Sequence, residues 1–571
     1  MARRYIIVVS VLLALGIALL LIGFSKDGMS GEAVSPSGAY TGKGIGTEER
    51  EWVADRKSLP PGSYTVETEE TIKIPMRDGI KLEGRLLLPE GLEGPYATIV
   101  QLNGYGNGKA GGPSEEPLIN LAERGYAVLH VSMRGTGKSQ GELGLYEAYA
   151  EDGYDVIEWA ASQQWSSGEV ATVGASLQGI TQWLAAKELP PSLKAISPVI
   201  ACADCYEYLW HPGGMEAGGG RIERTLEFLA VKVHRDYDSW WQDRTVAENQ
   251  LKEFAKAGIA VLVSGGWNDY ISPGNVDAYE HLHSAEGSGH LIMSAGGHSR
   301  LSGVMPYEFE DYQALWLDHH LNGEQNSVSS SPPVLIYVQG AEQWRYENAW
   351  PIPDTQFEEL FFNNQKSGSI FSINDGSLTE ETPREPVAFT SYGYSPIKGP
   401  FLPTLLSATG RSLANQHKYE TKTATWTTGR LSAPTEVTGV VKAKFWAEVN
   451  AEDADFVLQL TDVAPDGSSK QVAAGYLNAS RAESRAEPEL LIPGEINEYT
   501  IEFQPTSYVF QKNHRLRLSI AGGAEMQPDQ KSPQGPGKNQ RPSAVTIYQD
   551  KNYPSSLALP LIGVTDFDTL E

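Results

Sequence analysis

Cysteine is scarce in this chain of 571 residues: only Cys202 and Cys205 occur, in the run Cys-Ala-Asp-Cys. Two cysteines cannot build a disulfide framework, and a structural zinc site usually needs four ligands, so neither device can organise the fold. A redox Cys-x-x-Cys motif is the alternative, but the surrounding sequence is not thioredoxin-like. We therefore expect two ordinary thiols near the end of a strand, and neither a metal nor another cofactor.

Basic residues are also in short supply. Lysine and arginine number 45 against 72 aspartates and glutamates, which gives a formal net charge of −27. Such a surface repels phosphate backbones, so nucleic acid is not expected as a partner. Hydrophobic residues make up 40% of the chain, which is enough for several packed cores. The length suggests about three to five domains.

Charge is missing from residues 5–24, an apolar run that Arg3 and Arg4 precede. A run of this length spans a bilayer as a helix, and the arginines favour a cytoplasmic N-terminus. We expect residues 1–24 to be an uncleaved signal anchor, with a cleaved signal peptide as the alternative. In either case the body is exported, being anchored at the cell surface or else secreted or periplasmic. The Gly-, Ser- and charge-rich residues 25–60 predict a flexible tether.

Short apolar runs alternate with helical patterns after the tether. Alternation around Asp78-Gly79 predicts a hairpin. Continuous apolar runs are typical of buried parallel strands, and the helical stretches between them predict an α/β sheet covered on both faces. The runs that predict strands are 97–102, 126–131, 170–173, 195–198, 260–264 and 290–293.

A change of composition at residues 203–251 interrupts this alternation. The segment is rich in tryptophan, tyrosine and charge, and we interpret it as a helical cap inserted over the sheet. The α/β domain is therefore expected at 61–202 and 252–326. A polar linker follows, and the short alternating runs from 333 to 571 predict a C-terminal all-β sandwich.

Ser176 lies in Gly-Ala-Ser-Leu-Gln-Gly, between an apolar run and a helical pattern. A nucleophilic serine on a tight strand-to-helix turn needs small neighbours, which Gly174 and Gly179 supply. The helix N-terminus then directs backbone N–H groups at developing negative charge. We predict Ser176 as the catalytic nucleophile; because the pattern is looser than G-x-S-x-G, an ordinary turn without chemistry is the alternative.

Asp269 and His298 are the predicted partners of this serine. A serine hydroxyl needs a base to take its proton, and in α/β-hydrolases the order along the chain is serine, acid, histidine. Each of the two residues follows an apolar run, and active sites in such sheets form at the carboxyl ends of strands. His298 would act as base and then as acid, while Asp269 would fix its tautomer. Taken singly, a turn-capping aspartate and a surface histidine are the alternatives.

The loop after the run at 97–102 contains Tyr105 in a glycine-rich turn. A donor from this loop, together with the backbone N–H of Leu177, would complete an oxyanion hole. Tyr105 is the candidate side-chain donor, and a buried aromatic residue in a turn is the alternative.

These segments resemble the X-Pro dipeptidyl-peptidase and cocaine-esterase family of serine hydrolases. The run Gly-Ala-Ser176-Leu-Gln-Gly-Ile-Thr-Gln-Trp is similar to its G-x-S-[YF]-x-G-x-T-Q-W pattern. Residues 132–141 resemble its D-x-R-G-x-G-x-S-x-G loop, although Ser132 stands where the aspartate is usual. Gly266-Trp-Asn-Asp269 and Gly297-His298 resemble the segments that bear the acid and the base. The resemblance implies an oxyanion hole formed by the Tyr105 hydroxyl and the Leu177 N–H.

The C-terminal half carries the same resemblance. Residues 334–345 look like the first strand of the family's jelly-roll domain, and 455–467 and 553–556 are similar to later signatures. The resemblance therefore implies an α/β-hydrolase fold with an inserted helical cap, followed by a jelly roll of the galactose-binding-like type.

Three functions follow from these expectations. The first is an exported acyl esterase that forms an acyl-enzyme on its serine. The second is an X-Pro dipeptidyl-peptidase, for which Asp204 and Glu207 are candidate carboxylates to hold the substrate amine; ordinary solvent-facing acids are their alternative. The third is a carbohydrate-binding surface protein whose hydrolase half is inactive. The tryptophans of the cap suggest an apolar acyl pocket.

Overall fold

The computed structural model describes residues 51–52, 59–105, 115–215, 226–285, 287–298, 308–393, 397–398, 415–522, 524–525 and 544–563. The expected signal anchor and nearly all of the expected tether lie outside these ranges. Within them, no helix is both long and apolar enough to cross a membrane.

The first domain is built on an 11-stranded sheet with the order β1-β11-β10-β9-β8-β7-β6-β4-β5-β3-β2. Strands β4 to β10 run parallel, which confirms the predicted α/β sheet. Strands β2 and β3 form the predicted hairpin. The strands are β1 (Glu51–Trp52), β2 (Thr65–Pro75), β3 (Lys81–Glu90), β4 (Tyr96–Asn103), β5 (Ala127–Ser132), β6 (Ser166–Ala175), β7 (Leu193–Val199), β8 (Ala260–Gly266), β9 (Gly289–Ser294), β10 (Val334–Val338) and β11 (Gln343–Glu347).

Helices cover both faces of this sheet because successive side chains of its buried strands point to opposite sides. On β4, Ile99 packs into the core that contains α1 and α8, whereas Val100 packs into the core that contains α2, α3, α6 and α7. The helices are α1 (Glu115–Glu123), α2 (Tyr149–Ala161), α3 (Leu177–Lys187), α4 (Leu226–Val233), α5 (Ser239–Arg244), α6 (Glu248–Ala257), α7 (Pro273–Ser284) and α8 (Phe309–Asn322).

The segment expected to open the β-sandwich belongs to the first sheet instead. Strand β10 pairs in parallel with β9, Val334 lying opposite Leu291, and β11 returns antiparallel to β10. All five residues of β10 are buried. A run that is apolar on both faces suits the interior of an α/β sheet better than a half-exposed sandwich strand, which explains the difference.

The segment predicted as a cap contains short helical pieces, namely a π-helical turn (Tyr206–Trp210), a 3₁₀ turn (Pro212–Gly214), α4 and α5. Just before the π-helical turn, Cys202 and Cys205 form a disulfide. The expectation of two ordinary thiols is therefore wrong. The tight turn after β7 brings the two Cα atoms to 5.3 Å, which is within the range that a disulfide requires.

The second domain is all β, as predicted, with its strands in one 13-stranded network and a small parallel pair. Outward and inward side chains alternate along strands such as β18, whose inner residues belong to a core separate from that of the hydrolase. Its elements are β12 (Gln356–Asn363), β13 (Gly376–Thr379), β14 (Phe389–Gly393), β15 (Ile397–Lys398), α9 (His417–Glu420), β16 (Ala424–Thr427), β17 (Thr435–Gly439), β18 (Lys442–Val449), β19 (Asp455–Val463), β20 (Ser469–Asn478), β21 (Ile496–Glu502), β22 (Thr506–Phe510), β23 (Arg515–Ala521), β24 (Ala524–Glu525), β25 (Ala544–Tyr548) and β26 (Ser556–Ile562).

A buried ion pair joins the two domains. Arg345 on β11 donates from both terminal nitrogens to Glu436 on β17, at 2.8 and 2.7 Å, and neither side chain is exposed. Paired hydrogen bonds of this kind fix orientation as well as distance. The edge of the hydrolase sheet is therefore held against the β-sandwich in a defined register.

Candidate active site

Ser176 occupies the sharp turn between β6 and α3. Its φ and ψ angles are 56° and −123°, a strained conformation for a residue with a side chain. A Cβ on Gly174 would lie 2.6 Å from the Cβ of Gln178, and one on Gly179 would lie 2.7 Å from that of Ala201. Both glycines are thus required by close packing, and the turn projects the Ser176 hydroxyl from the end of the strand.

The structure brings Ser176, His298 and Asp269 together in one chain of hydrogen bonds. The Ser176 Oγ lies 2.8 Å from His298 Nε2, and His298 Nδ1 lies 3.0 Å from Asp269 Oδ1. Ser176 follows β6, Asp269 follows β8 and His298 follows β9, so all three residues stand at the carboxyl ends of parallel strands of one sheet. This geometry suits proton transfer from the serine to the imidazole.

Asp269 is fully buried, and a second residue completes its hydrogen bonding. The Ser272 hydroxyl donates to Asp269 Oδ2 at 2.5 Å, which leaves Oδ1 to face His298. A buried carboxylate needs such donors, because an unsatisfied charge in the interior is costly. Ser272 was not predicted as a site residue. Its position three residues after the acid, at the start of α7, is the sequence signal that could have indicated it.

Tyr105 and Leu177 also lie together. The Leu177 backbone N–H donates to the Tyr105 hydroxyl oxygen at 3.0 Å, and the Tyr105 hydroxyl also forms a hydrogen bond with Ser176. Burial raises the pKa of the Tyr105 hydroxyl, so the group keeps its proton at neutral pH and can donate it in a hydrogen bond. Two N–H and O–H groups therefore converge beside the serine, as an oxyanion hole requires.

A short polar relay positions the Tyr105 loop. Burial lowers the pKa of His130 to about 4, so its ring is neutral at pH 7. Its Nε2 can then accept from the Asn103 amide at 3.1 Å, and Asn103 Oδ1 accepts from the backbone N–H of Tyr105 at 2.9 Å. Neither His130 nor Asn103 was predicted, since the relay exists only once β4 and β5 are paired.

Aromatic residues surround the histidine. The Tyr270 ring lies 5.0 Å from the His298 ring, and Tyr270 interacts electrostatically with Tyr105 and Tyr146. Tyr146 in turn accepts from the indole nitrogen of Trp210 at 3.3 Å. Because Trp210 ends the π-helical turn, the cap reaches the wall of the site through this residue.

Asp204 and Glu207, the candidate amine-binding carboxylates, both have hydrogen-bond partners within the protein. Asp204 Oδ2 pairs with Arg485 of the β-sandwich, while its Oδ1 accepts from the backbone N–H groups of Tyr206 and Glu207. Glu207 accepts from the backbone of Gly213 at 2.8 Å. Burial raises the pKa of Glu207 to about 7. Neither residue is a solvent-facing acid, and both already accept hydrogen bonds within the protein.

Two family models match the chain. The X-Pro dipeptidyl-peptidase (S15 family) model matches residues 78–232 and 220–300, and the X-Pro dipeptidyl-peptidase C-terminal non-catalytic domain model matches residues 326–558. The first spans Ser176, Asp269 and His298, and the second spans the β-sandwich.

Two curated relatives match over most of the chain. A cocaine esterase from Rhodococcus is 27% identical and covers 88% of this chain and 99% of its own length. An Xaa-Pro dipeptidyl-peptidase from Lacticaseibacillus rhamnosus is 24% identical and covers 76% of this chain and 62% of its own length.

A solved structure shares the fold. The aminopeptidase from a marine sediment archaeon, a Thaumarchaeota archaeon, aligns with a TM-score of 0.72 at 21% identity, over 90% of this chain and all of that one. At this identity the likeness concerns the arrangement of the α/β domain, cap and β-sandwich.

Proposed function

Because the chain belongs to the X-Pro dipeptidyl-peptidase and cocaine-esterase family of serine hydrolases, we propose that it is an acyl esterase with Ser176, His298 and Asp269 as its catalytic residues. The observation that carries this proposal is the unbroken hydrogen-bond chain from Ser176 Oγ through His298 to the buried Asp269. This series of hydrogen bonds also argues against a carbohydrate-binding protein with an inactive hydrolase half, since such a protein does not need an aligned serine, histidine and aspartate.

The geometry supports a two-step reaction. Ser176 Oγ attacks the ester carbonyl while its proton passes to His298 Nε2, and the carbonyl oxygen becomes an oxyanion held by the Tyr105 hydroxyl and the Leu177 N–H. The C–O bond to the alcohol then breaks, and the leaving oxygen takes the proton from His298. Throughout, Asp269 stabilises the imidazolium.

Water completes the cycle. His298 takes a proton from a water molecule, whose oxygen attacks the acyl carbonyl on Ser176 and forms a second oxyanion in the same hole. The bond to Ser176 breaks, the serine regains a proton from His298, and the carboxylic acid leaves. No redox step or cofactor takes part in this sequence.

An ester fits the site better than a peptide with a free amino terminus. An amine-selective pocket needs an available carboxylate, and Asp204 and Glu207 already accept from Arg485 and from backbone N–H groups. The Tyr270 ring lies beside His298, which suits an apolar acyl group. Release of X-Pro dipeptides is the second candidate, which the family model over residues 78–300 favours.

The disulfide supports a proposal on location. Cys202 and Cys205 are paired and buried, and disulfides persist in oxidising compartments outside the cytoplasm. We therefore propose that the body of the protein is exported. Thiol titration of the denatured protein, taken directly from the producing cells, should detect no free thiol before reduction and both cysteines after it; two free thiols at the outset would contradict export.

Parallel hydrolysis assays test the proposed activity. We expect cleavage of a p-nitrophenyl ester, little release from a Gly-Pro p-nitroanilide, and a loss of about 10⁴-fold or more in kcat for the Ser176→Ala variant. Efficient cleavage of the anilide would favour the dipeptidyl-peptidase instead. Near-normal turnover of either substrate by Ser176→Ala would overturn the assignment of the nucleophile.

A further inference from the structure

Aromatic side chains line up on the outer face of the β-sandwich, far along the chain from the catalytic residues. Strands β14, β25 and β18 all alternate between buried and more exposed residues, so each presents one face to solvent. Phe389, Tyr548 and Trp446 lie on that face. The inner neighbours Phe445 and Ile547 belong to the core, so the outer aromatics are not needed to fill it.

Strand register places these residues in one row. Phe389 pairs directly with Tyr548, and Tyr548 pairs directly with Trp446 on the next strand. Tyr553, from the loop after β25, packs between the last two, with ring centroids 5.3 Å from Tyr548 and 6.2 Å from Trp446. We call these four residues the aromatic platform.

The platform leaves apolar surface in water. Phe389, at the edge strand, is 51% exposed, and the other three members are half-buried. The planes of neighbouring rings form angles of 51° to 57°, so the rings do not stack face to face on one another. Contiguous exposed aromatic surface of this kind usually marks a binding surface.

Polar groups surround the rings, and most of their charges are paired. Lys444, whose Nζ lies over the Trp446 ring, forms an ion pair with Glu498 at 3.1 Å, and Lys442 forms one with Glu502 at 2.7 Å. The Tyr548 hydroxyl donates to Glu448 at 2.7 Å. The charges of the two ion pairs cancel, so the face carries the single charge of Glu448 and is rich in hydrogen-bonding groups, on a protein whose net charge of −27 repels anionic polymers.

We propose that the aromatic platform binds a neutral glycan. A pyranose ring has an apolar C–H face that packs on aromatic rings and a rim of hydroxyls that pairs with carboxylates, amines and phenols, so it matches the two features of this surface. A neutral polymer also matches the paired charges of the face. Sandwich domains of this architecture do serve as lectins. The site is independent of Ser176, and it would hold the hydrolase near a polysaccharide.

Affinity electrophoresis of the full chain tests the platform. The gels contain xylan, mixed-linkage β-glucan, hydroxyethylcellulose or galactomannan as neutral glycans, and polygalacturonate as an anionic one. We expect at least one neutral glycan to retard both the natural protein and Ser176→Ala, and polygalacturonate to retard neither. Trp446→Ala and Phe389→Ala should each weaken the retardation about tenfold.

Controls separate binding from folding. Phe371, which is 92% exposed and outside the platform, provides the matched Phe371→Ala variant, which should bind as the natural protein does. The three aromatic variants, Trp446→Ala, Phe389→Ala and Phe371→Ala, should keep their hydrolysis of a p-nitrophenyl ester. The proposal is overturned if no neutral glycan retards the protein, if the platform variants bind as tightly as Phe371→Ala, or if Trp446→Ala instead converts a dimer into a monomer in sedimentation.

Discussion

Arg485 of the β-sandwich forms an ion pair with Asp204 of the hydrolase domain, with Nη1 and Oδ2 2.5 Å apart. The guanidinium also lies 3.8 Å from the centre of the Tyr237 ring, and the Arg485 carbonyl accepts from the Tyr237 backbone N–H at 3.0 Å. Asp204 in turn accepts from the first N–H groups of the π-helical turn that ends at Trp210. Arg485 therefore ties the cap to the second domain, as Arg481 does through its ion pair with Asp236.

Loss of this contact should loosen the cap. In Arg485→Met the Asp204 carboxylate stays largely buried without its cation, which should lower the free energy of unfolding by about 1–3 kcal/mol. Because the π-helical turn carries Trp210, we also expect KM for a large aromatic acyl ester to rise more than KM for p-nitrophenyl acetate. Urea unfolding and steady-state kinetics measure the two effects.

A double-mutant cycle distinguishes the ion pair from simple packing. Adding Asp204→Asn to Arg485→Met should cost less than the two single effects together, because the unpaired charge is then absent. Arg430→Met is the matched control, since its side chain contacts a backbone carbonyl near the surface. Additive effects of the two changes, or an equal KM increase for both esters, would contradict this role of Arg485.

The residues of the proposed triad were predictable because they follow strands whose sequences are apolar runs. Parallel strands end at one edge of a sheet, so Ser176, Asp269 and His298 were expected to meet before any distance was known. The pairing of Arg485 with Asp204, 281 residues apart, has no such local signal. The disulfide was not predicted for a related reason. Whether two nearby cysteines can form a bond depends on the conformation of the turn between them. Strands β10 and β11 were misplaced since an apolar run does not reveal which sheet it joins.

Tyr105→Phe isolates the side-chain donor of the oxyanion hole. The phenol hydroxyl contacts Leu177 and Ser176, so its removal should leave the fold intact while the oxyanion loses one donor. We expect kcat to fall about 10²–10³-fold with little change in KM. Tyr154→Phe is the control, as Tyr154 packs against Arg77. Unchanged kcat in Tyr105→Phe would remove Tyr105 from the proposed mechanism.

Ser272→Ala tests the support of the buried acid. The variant deprives Asp269 Oδ2 of its hydroxyl donor, so the carboxylate is free to rotate away from His298. A hydrogen bond to a charged group contributes about 1.5–3 kcal/mol, which corresponds to a fall in kcat of about 10- to 100-fold. Ser272→Thr keeps a hydroxyl and should recover most of the rate. If the alanine and threonine variants lose activity equally, crowding rather than the hydrogen bond is responsible.

Glu207 should make the stability of the protein depend on pH. Burial raises the pKa of Glu207 to about 7 from an ordinary value of 4.5. Between these values the folded protein keeps a proton that the unfolded chain has released. The free energy of unfolding therefore falls as the pH rises through this window, by at most about 1.4 kcal/mol per pH unit.

Glu207→Gln removes this dependence while its amide oxygen can still accept from Gly213. The melting temperature of the variant relative to the natural protein should therefore be higher at pH 8 than at pH 5, by up to about 2–3 °C. Burial also raises the pKa values of Glu280 and Asp455 to about 7, but both are present in the two proteins, so their contributions cancel in the difference. Glu483→Gln, at an exposed position, is the control, and its melting temperature relative to the natural protein should be the same at both pH values. If Glu207→Gln also shows the same difference at pH 5 and pH 8, Glu207 is ionised in the folded protein at pH 5.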